Sequence, residues 1–404
     1  MKINQLKINK YKSITKKVEI NNFFDFNILV GPNNAGKTNI LDAVELFFNP
    51  EREQLKDGDV EIAIKNGEKE YGFSFSDGSF HPPLKDFSSS FVRINHEVSP
   101  EKVSQDLEKF KKTDSEKYNK FTESMERYFG NLQMSEELFK ASTETKIEAK
   151  SWRRMGEGFK RLFVILFYIY NPQFEIILID EPEIHLHPSV IKKFLKLLHN
   201  EELEGTIMMT THHPTMVQAK FLKNTWRVAR DEDRSTTIYK FKRGLDIERL
   251  VQEINDDNSA MLFTDKALLV EGVSDSILMR GLIDKFYTGK KDIKVVYSGG
   301  VGDINLYEKI CKVYNIPYSI MIDGDALDSY WKKRFGEKDH PRKREELKKE
   351  GVFVLKGALE DNYPQKYQTE ETKPLSALRA AGKIKKEDFE SPLMSSLKEV
   401  IVNL

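Results

Sequence analysis

Cysteine is nearly missing from this sequence. Cys311 stands alone among 404 residues, which excludes an intramolecular disulfide and a cysteine-built zinc site, and fits a reducing cytoplasm. A surplus of one charge is missing too. Lys plus Arg and Asp plus Glu both count 64, so the chain is not a generally cationic nucleic-acid binder. A local basic groove beside an acidic site stays compatible with that balance. Long apolar runs are absent: the longest, "LFVILFYIY" at 162–170, is too short to span a bilayer, and no membrane partner is expected. The opening "MKINQLKINKYKSI" alternates as a strand does and has no signal-peptide core. There is no internal repeat and no low-complexity segment. What remains is a soluble composition, 39% hydrophobic and 32% charged, with length for two or three domains.

The pattern along the chain is α/β. Residues 1–30 read as strands, and "TNILDAVELFFN" at 38–49 as an amphipathic helix. A hairpin-rich patch spans 57–97, with turn signals at Asn66-Gly67 and Asp77-Gly78. The charged stretch 100–150 predicts a solvated helical arm. A helix, a strand and a helix follow over 156–200, then a strand in "EGTIMMTTHHP". The polar stretch 230–262 predicts a last hairpin and a connecting helix. From 264 a new βαβα alternation begins, which predicts a parallel, doubly wound sheet.

Two places carry chemistry. "GPNNAGKT" at 31–38 fits the phosphate-loop pattern between a buried strand and a helix. Its contacts to a nucleotide are expected from Asn33, Asn34, Gly36, Lys37, Thr38 and Asn39, with Lys37 as a point charge and the Thr38 hydroxyl on Mg²⁺. "EIILIDEPEIHLHP" at 175–188 ends a buried strand in Asp180 and Glu181. Asp180 suits a water-mediated hold on Mg²⁺, and Glu181 suits polarisation of an attacking water. His185 and His187 are read as structural or interface residues, since no third ligand is suitably spaced. "MMTTHHP" at 208–214 ends a strand near His212.

The second place lies near the far end. "KALLV" runs into Glu271-Gly272, with Asp275 four residues on, and "YSIMI" runs into Asp323-Gly324-Asp325. In a doubly wound sheet both strand ends open on one edge. Converging carboxylates repel without cations, so the set asks for Mg²⁺ or Mn²⁺, and two such ions suit phosphodiester chemistry. "SGGVGDIN" at 298–305 is a glycine-rich exit that can approach a phosphate backbone. Taken singly, Glu271 and Asp275 read equally as a helix cap, and Asp323 and Asp325 as a tight turn. The lysines after 331 read equally as a DNA groove and as a solvated helix.

The first set of motifs resembles the ATP-binding-cassette heads, SMC-like ones included. The resemblance makes Glu181 the catalytic glutamate and His212 the switch histidine. It puts the signature loop at "RMGEGFKR", 154–161, where Gly156 and Gly158 would cap the γ-phosphate of a neighbouring subunit. The usual Ser-Gly-Gly core is Gly-Glu-Gly here, which puts efficient turnover in doubt but not ATP binding. A head dimer, or a higher homo-oligomer, is implied.

The second set resembles the TOPRIM fold. A cassette-type head followed directly by TOPRIM is similar to the OLD (overcoming lysogenization defect) family, which includes Gabija-type and retron-associated anti-phage nucleases. "LFTDKALLVEGVSD" and "LKGALEDNYP" strengthen the resemblance, and the latter points to Glu360. It implies metals on Glu271, Asp275, Asp323, Asp325 and Glu360. It also implies a late lysine near the scissile phosphate, Lys373, with Lys366 and Lys383 as competitors. The expectation is an ATPase domain at 1–255 and a TOPRIM nuclease domain at 262–404. Together they would form an ATP-regulated, Mg²⁺- or Mn²⁺-dependent DNA endonuclease of anti-phage defence, with a defence-system protein or nucleic acid as an open further partner. The alternative is an ATP-sensing, DNA-binding scaffold with a silent TOPRIM domain.

Overall fold

The computed structural model describes residues 2–50, 60–76, 79–81, 91–94, 100–129, 156–241, 255–335, 343–369 and 371–404. The expected turn at Asp77-Gly78, the end of the stretch 100–150, most of the connecting helix before 262 and the first three residues of the basic "HPRKREELKK" at 340–349 lie outside the described residues. The chain divides into two compact units, Met1–Val217 with Phe221–Phe241, and Gln218–Lys220 with Lys242–Leu404.

The first unit holds two sheets. Strands β1 (Gln5–Asn9), β2 (Val18–Asn21), β4 (Val60–Asn66), β5 (Lys69–Ser76) and β6 (Ser79–His81) form an antiparallel sheet in the order β2-β1-β4-β5-β6. The other sheet uses β3 (Phe26–Val30), β7 (Phe91–Ile94), β8 (Ile176–Asp180), β9 (Thr206–Thr210), β10 (Thr225–Arg230) and β11 (Thr236–Lys240). Its order is β11-β10-β3-β9-β8-β7, parallel from β10 to β7 and closed by an antiparallel β11. Every residue of β3 and β9 is buried, as strands covered on both faces require. Asn27 is polar and wholly buried on β3; its amide donates to Phe24 O at 2.8 Å and Ile207 O at 3.2 Å, so the burial is satisfied.

Helix α1 (Lys37–Phe48) follows β3 and buries Ile40, Leu41, Val44, Leu46 and Phe47 against the core. The stretch from 100 differs from expectation. Its described part is not a solvated arm but two helices, α2 (Pro100–Thr113) and α3 (Ser115–Phe129), that bury Val103, Leu107, Phe110, Tyr118, Phe121, Met125 and Phe129. Those residues recur three, four or eight apart and form one apolar stripe under a charged face. Phe121 meets Phe163 of α4 (Glu157–Tyr170) edge-on at 5.7 Å, and Phe110 meets Phe167 at 6.0 Å. Helix α5 (Pro188–Asn200) joins β8 to β9. His187 begins it: its Nδ1 accepts from the Ser189 amide at 3.3 Å.

The second unit is built on β12 (Lys266–Val270), β13 (Ile293–Tyr297), β14 (Tyr318–Ile322) and β15 (Val352–Val354), all parallel, in the order β13-β12-β14-β15. Helices α6 (Val273–Phe286), α7 (Val301–Val313), α8 (Leu327–Phe335), α9 (Lys343–Lys349), α10 (Lys373–Lys383) and α11 (Ser395–Val402) pack on it, with single helical turns at Asp256–Ser259 and Lys386–Phe389. The core joins β12 and β14 to α6, α10 and α11. Gly281 of α6 faces Ala381 so closely that an added Cβ would stand 2.6 Å from the Ala381 Cβ. Small residues thus set the approach of α6 to α10 and place the start of α10 beside the strand ends. The chain order change between β13-β12 and β12-β14 puts the switch point between β12 and β14.

Candidate functional sites at two sheet edges

The phosphate loop leaves β3 at its carboxyl end. Gly31 has φ +142 and backs onto the Val228 carbonyl, which a Cβ would strike. Gly36 has φ +100 and faces the hydroxyls of Ser13 and Thr236, again with no room for a side chain. Thr236 Oγ1 donates to Ala35 O at 2.9 Å, and Arg230 Nε donates to Asn34 O at 2.8 Å, so β10 and β11 brace the loop. Asn33, Asn34 and Thr38 are exposed at its rim. Lys37 is buried and donates to the carbonyls of Gly31 and Pro32, each at 2.9 Å. Burial pushes its ammonium down to about 8, against Glu181 and Glu183, which favour the charge. The Asn39 amide is engaged with Ser13 Oγ at 2.5 Å.

Asp180 ends β8, and its Oδ1 accepts from Thr210 Oγ1 at 2.6 Å. Glu181 stands at φ +48, a left-handed conformation that costs a non-glycine residue about 1 kcal/mol. Its amide is held there by Thr210 O at 3.1 Å. His212 Nε2 lies 3.3 Å from Glu181 Oε1. Burial, then Lys37, lowers the pKa of His212, so the imidazole is predominantly neutral at pH 7. Asp180, Glu181, Lys37 and His212 therefore gather at one sheet edge. Gly158, on α4, lets that helix pass against the His185 carbonyl without a Cβ in the way.

Sequence reasoning missed the groups that hold this edge. Arg161 of α4 donates to the carbonyls of Asp180 and Glu181, the latter at 3.0 Å. Glu183 is buried and accepts from Thr211 Oγ1 at 2.6 Å and from the His212 amide at 3.0 Å. It ties the acidic strand to the loop of His212, and the third acid of "DEPE" was the available signal. Arg93 of β7 pairs with Asp180. Nothing in its short strand marks it.

The second edge joins the ends of β12 and β14. Glu271 follows β12, and Asp275 lies in the first turn of α6, where its Oδ2 accepts from the Gly272 amide at 3.0 Å. The cap reading of Asp275 therefore holds for one of its oxygens. Asp323 follows β14, and Asp325 is exposed just beyond it. Gly324 between them passes so close to the chain at 355–357 that a Cβ would stand 2.6 Å from Leu355 O; its amide donates to Gly357 O at 2.6 Å. Asn362, wholly buried, donates to the carbonyls of Lys356 at 2.9 Å and Ala358 at 2.8 Å and shapes the turn that presents Glu360. Lys373, at the start of α10, reaches Glu360 Oε2 at 3.4 Å and is 72% exposed. Lys366 pairs instead with Asp388 at 3.0 Å, and the exposed Lys383 sits at the far end of α10.

The charges at this edge act on one another. Burial, then Asp323, Asp275 and Asp325, pushes the Glu271 carboxyl up to about 8. Asp323 is pushed up to about 7 by burial, Asp275, Asp325 and Glu360, and Asp275 to about 6 by burial and Glu360. Glu271 Oε1 and Asp323 Oδ1 are buried without a hydrogen-bond partner among the described residues. Among those residues no three His, Cys, Asp or Glu side chains are gathered into a ready metal cage, so carboxylate rotation would have to precede shared ligation. The donor set still suits a hard divalent cation: all oxygen, strongly anionic, with two unsatisfied buried oxygens. Beside it, the "WKKRF" helix is partly spent on internal pairing, since Arg334 bridges Glu308 at 3.1 Å and Glu350 at 2.8 Å.

Family models match parts of both units. The model of the "Overcoming lysogenization defect protein-like, TOPRIM domain" matches residues 262–325, and an "AAA ATPase domain" model matches 1–76. The chain joins an AAA-type ATPase domain to an OLD-like TOPRIM domain. A second model, "AAA domain, putative AbiEii toxin, Type IV TA system", matches 145–217. The OLD nuclease of Thermus scotoductus is 27% identical over 46% of this chain and 39% of its own length. The Old nuclease of Escherichia phage P2 is 26% identical over 48% of this chain and 38% of its own. The endonuclease GajA of Bacillus cereus VD045 is 26% identical over 32% of this chain and 24% of its own. The chain thus spans well under half the length of these curated relatives. Among solved structures, an SMC head bound to the C-winged helix domain of ScpA is similar at TM-score 0.42 and 15% identity, over 60% of this chain and 98% of that one. The α/β class, with an ATPase domain ahead of a parallel-sheet TOPRIM domain, is as the sequence predicts. No helix among the described residues is long and apolar enough to cross a membrane.

Proposed function

We propose that this protein is an ATP-regulated, divalent-metal-dependent DNA endonuclease of the OLD type, acting in anti-phage defence. The observation that carries the reading is the carboxylate edge. Burial and mutual repulsion hold Glu271, Asp323 and Asp275 protonated well above the ordinary carboxylate range. A fold keeps such a cluster at a large cost to stability unless a cation uses it.

In this reading residues 262–404 form the nuclease domain and 1–255 the ATPase domain. Glu271, Asp275, Asp323, Asp325 and Glu360 would hold Mg²⁺ or Mn²⁺, which supply an activated water and charge stabilisation at a phosphodiester. Lys373, 3.4 Å from Glu360 Oε2, would meet a phosphate oxygen. In the ATPase domain, Asn33, Asn34, Gly36, Lys37, Thr38 and Asn39 would take the phosphates and Asp180 their Mg²⁺. Glu181 would orient the attacking water, with His212 fixed beside it. Gly158 would meet the nucleotide of a second head, so a homodimer is the working unit, located in the cytoplasm. The nuclease names of the relatives support the substrate class.

The test is incubation of supercoiled plasmid, linear duplex and single-stranded DNA with the full chain and Mn²⁺. Cleavage of any substrate that Asp323→Ala abolishes supports the reading. A second reading, an ATP-sensing scaffold with a silent TOPRIM domain, draws on the open arrangement of the carboxylates. It predicts intact DNA in every lane and undiminished nucleotide binding.

A further inference from the structure

One buried arginine beside the phosphate loop has no part in the chemistry above. Arg93 lies on β7 with its side chain only 6% exposed. Its guanidinium pairs with Asp180, stands 3.4 Å from Asp42 and 3.9 Å from Glu45. Asp42 and Glu45 sit on α1, the helix that begins at Lys37. Three carboxylates from two elements thus share one buried guanidinium, with Lys12 adding a second cation to Asp42 at 2.8 Å from the rim. Both oxygens of Asp180 are engaged, one by Arg93 and the other by Thr210.

We propose that Arg93 competes with Mg²⁺ for Asp180 and so sets the Mg²⁺ requirement for nucleotide binding. The inference rests on the reading that Asp180 serves the nucleotide's cation. A divalent ion held by Asp180 would meet the positive charge of Arg93 at short range, in a place where solvent screens little. The repulsion falls if the guanidinium moves toward Asp42 and Glu45, which already face it. Arg93 is therefore a positioning residue: the share of its charge taken by α1 decides how much of Asp180 is left for the ion. The arrangement couples the cation to the helix that carries the phosphate loop.

The experiment is a Mg²⁺ titration of the full chain at fixed concentration of a fluorescent ATP analogue, read by anisotropy. In Arg93→Met the Mg²⁺ midpoint falls about fivefold or more, because Asp180 loses its competitor. Arg93→Lys, which keeps the charge, returns it toward wild type. A folded Arg93→Met with an unchanged or higher midpoint overturns the proposal. Should Arg93→Met not fold, Asp42→Asn tests the same point in the opposite direction. Loss of the pull from α1 throws Arg93 onto Asp180, and the midpoint rises; an unchanged or lower midpoint overturns the proposal. A wild-type chain that binds the analogue equally with and without Mg²⁺ would instead overturn the reading of Asp180 itself.

Discussion

Neutralising a carboxylate at the TOPRIM edge is predicted to stabilise the metal-free protein. Glu271 titrates near 8 in the folded chain, against 4.5 for an ordinary glutamate. The sign follows from linkage. Below pH 4.5 both folded and unfolded states hold the proton, and there is no cost. Between about 4.5 and 8 the unfolded chain releases the proton and the folded chain keeps it, so stability falls as pH rises. Above 8 the full cost is present. A shift of this size corresponds to a ceiling of about 5 kcal/mol, and sharing of charge with Asp323 and Asp275 brings the effect of one group to about 2 kcal/mol. That is about 4–8 °C for a unit of this size. Calorimetry of the full chain in EDTA at pH 5 and pH 8 should show the C-terminal transition falling with pH. Glu271→Gln should raise it at pH 8 and leave it nearly unchanged at pH 5. Mn²⁺ should raise the wild-type transition far more at pH 8 than at pH 5, because the ion needs ionised ligands, and should do little for the variant. A Glu271→Gln protein that is less stable than wild type at pH 8 in EDTA, with an intact Mn²⁺ response, would refute the reasoning.

Further outcomes follow from the packing and the loops. Phe121→Ala should cost about 3–5 kcal/mol of stability in the ATPase domain, read by urea denaturation, because Phe121 is wholly buried against Phe163 and Phe167; a loss under 1 kcal/mol would mean that α3 is a solvated arm after all. Gly324→Ala should weaken Mn²⁺ binding by calorimetric titration, since its Cβ must push the 355–357 chain, and with it the turn of Glu360, away from Asp323. Glu183→Ala should slow ATP turnover about as much as His212→Ala, because the carboxylate holds the His212 loop, and turnover at the wild-type rate would contradict that role.

How much of this was legible in the sequence depends on the range of the interaction. The phosphate loop, the Asp180-Glu181 strand end and the two acidic strand ends of the TOPRIM domain are local patterns, in which a buried run meets a turn. Their chemistry shows in a window of ten residues. The buried face of α2 and α3 was equally local but was hidden by composition, because lysine, glutamate and other polar residues fill the outward positions between Val103 and Phe129. Apart from Glu183, the supports of both sites were out of reach. Arg93 meets Asp180 across 87 residues, and Thr236 reaches the phosphate loop across 201. Gly324 and Asn362 owe their importance to a chain that returns beside them only in the fold.

The central claim is metal-dependent DNA cleavage at the end of β12 and β14 under the control of ATP. The most direct measurement is cleavage of supercoiled plasmid by the purified full chain in Mg²⁺ or Mn²⁺, with and without ATP, beside Glu271→Ala and Lys37→Ala. The account predicts nicked or linear product with wild type, none with Glu271→Ala, and an ATP response that Lys37→Ala removes. Product that persists in Glu271→Ala, or intact plasmid in every lane, would contradict it.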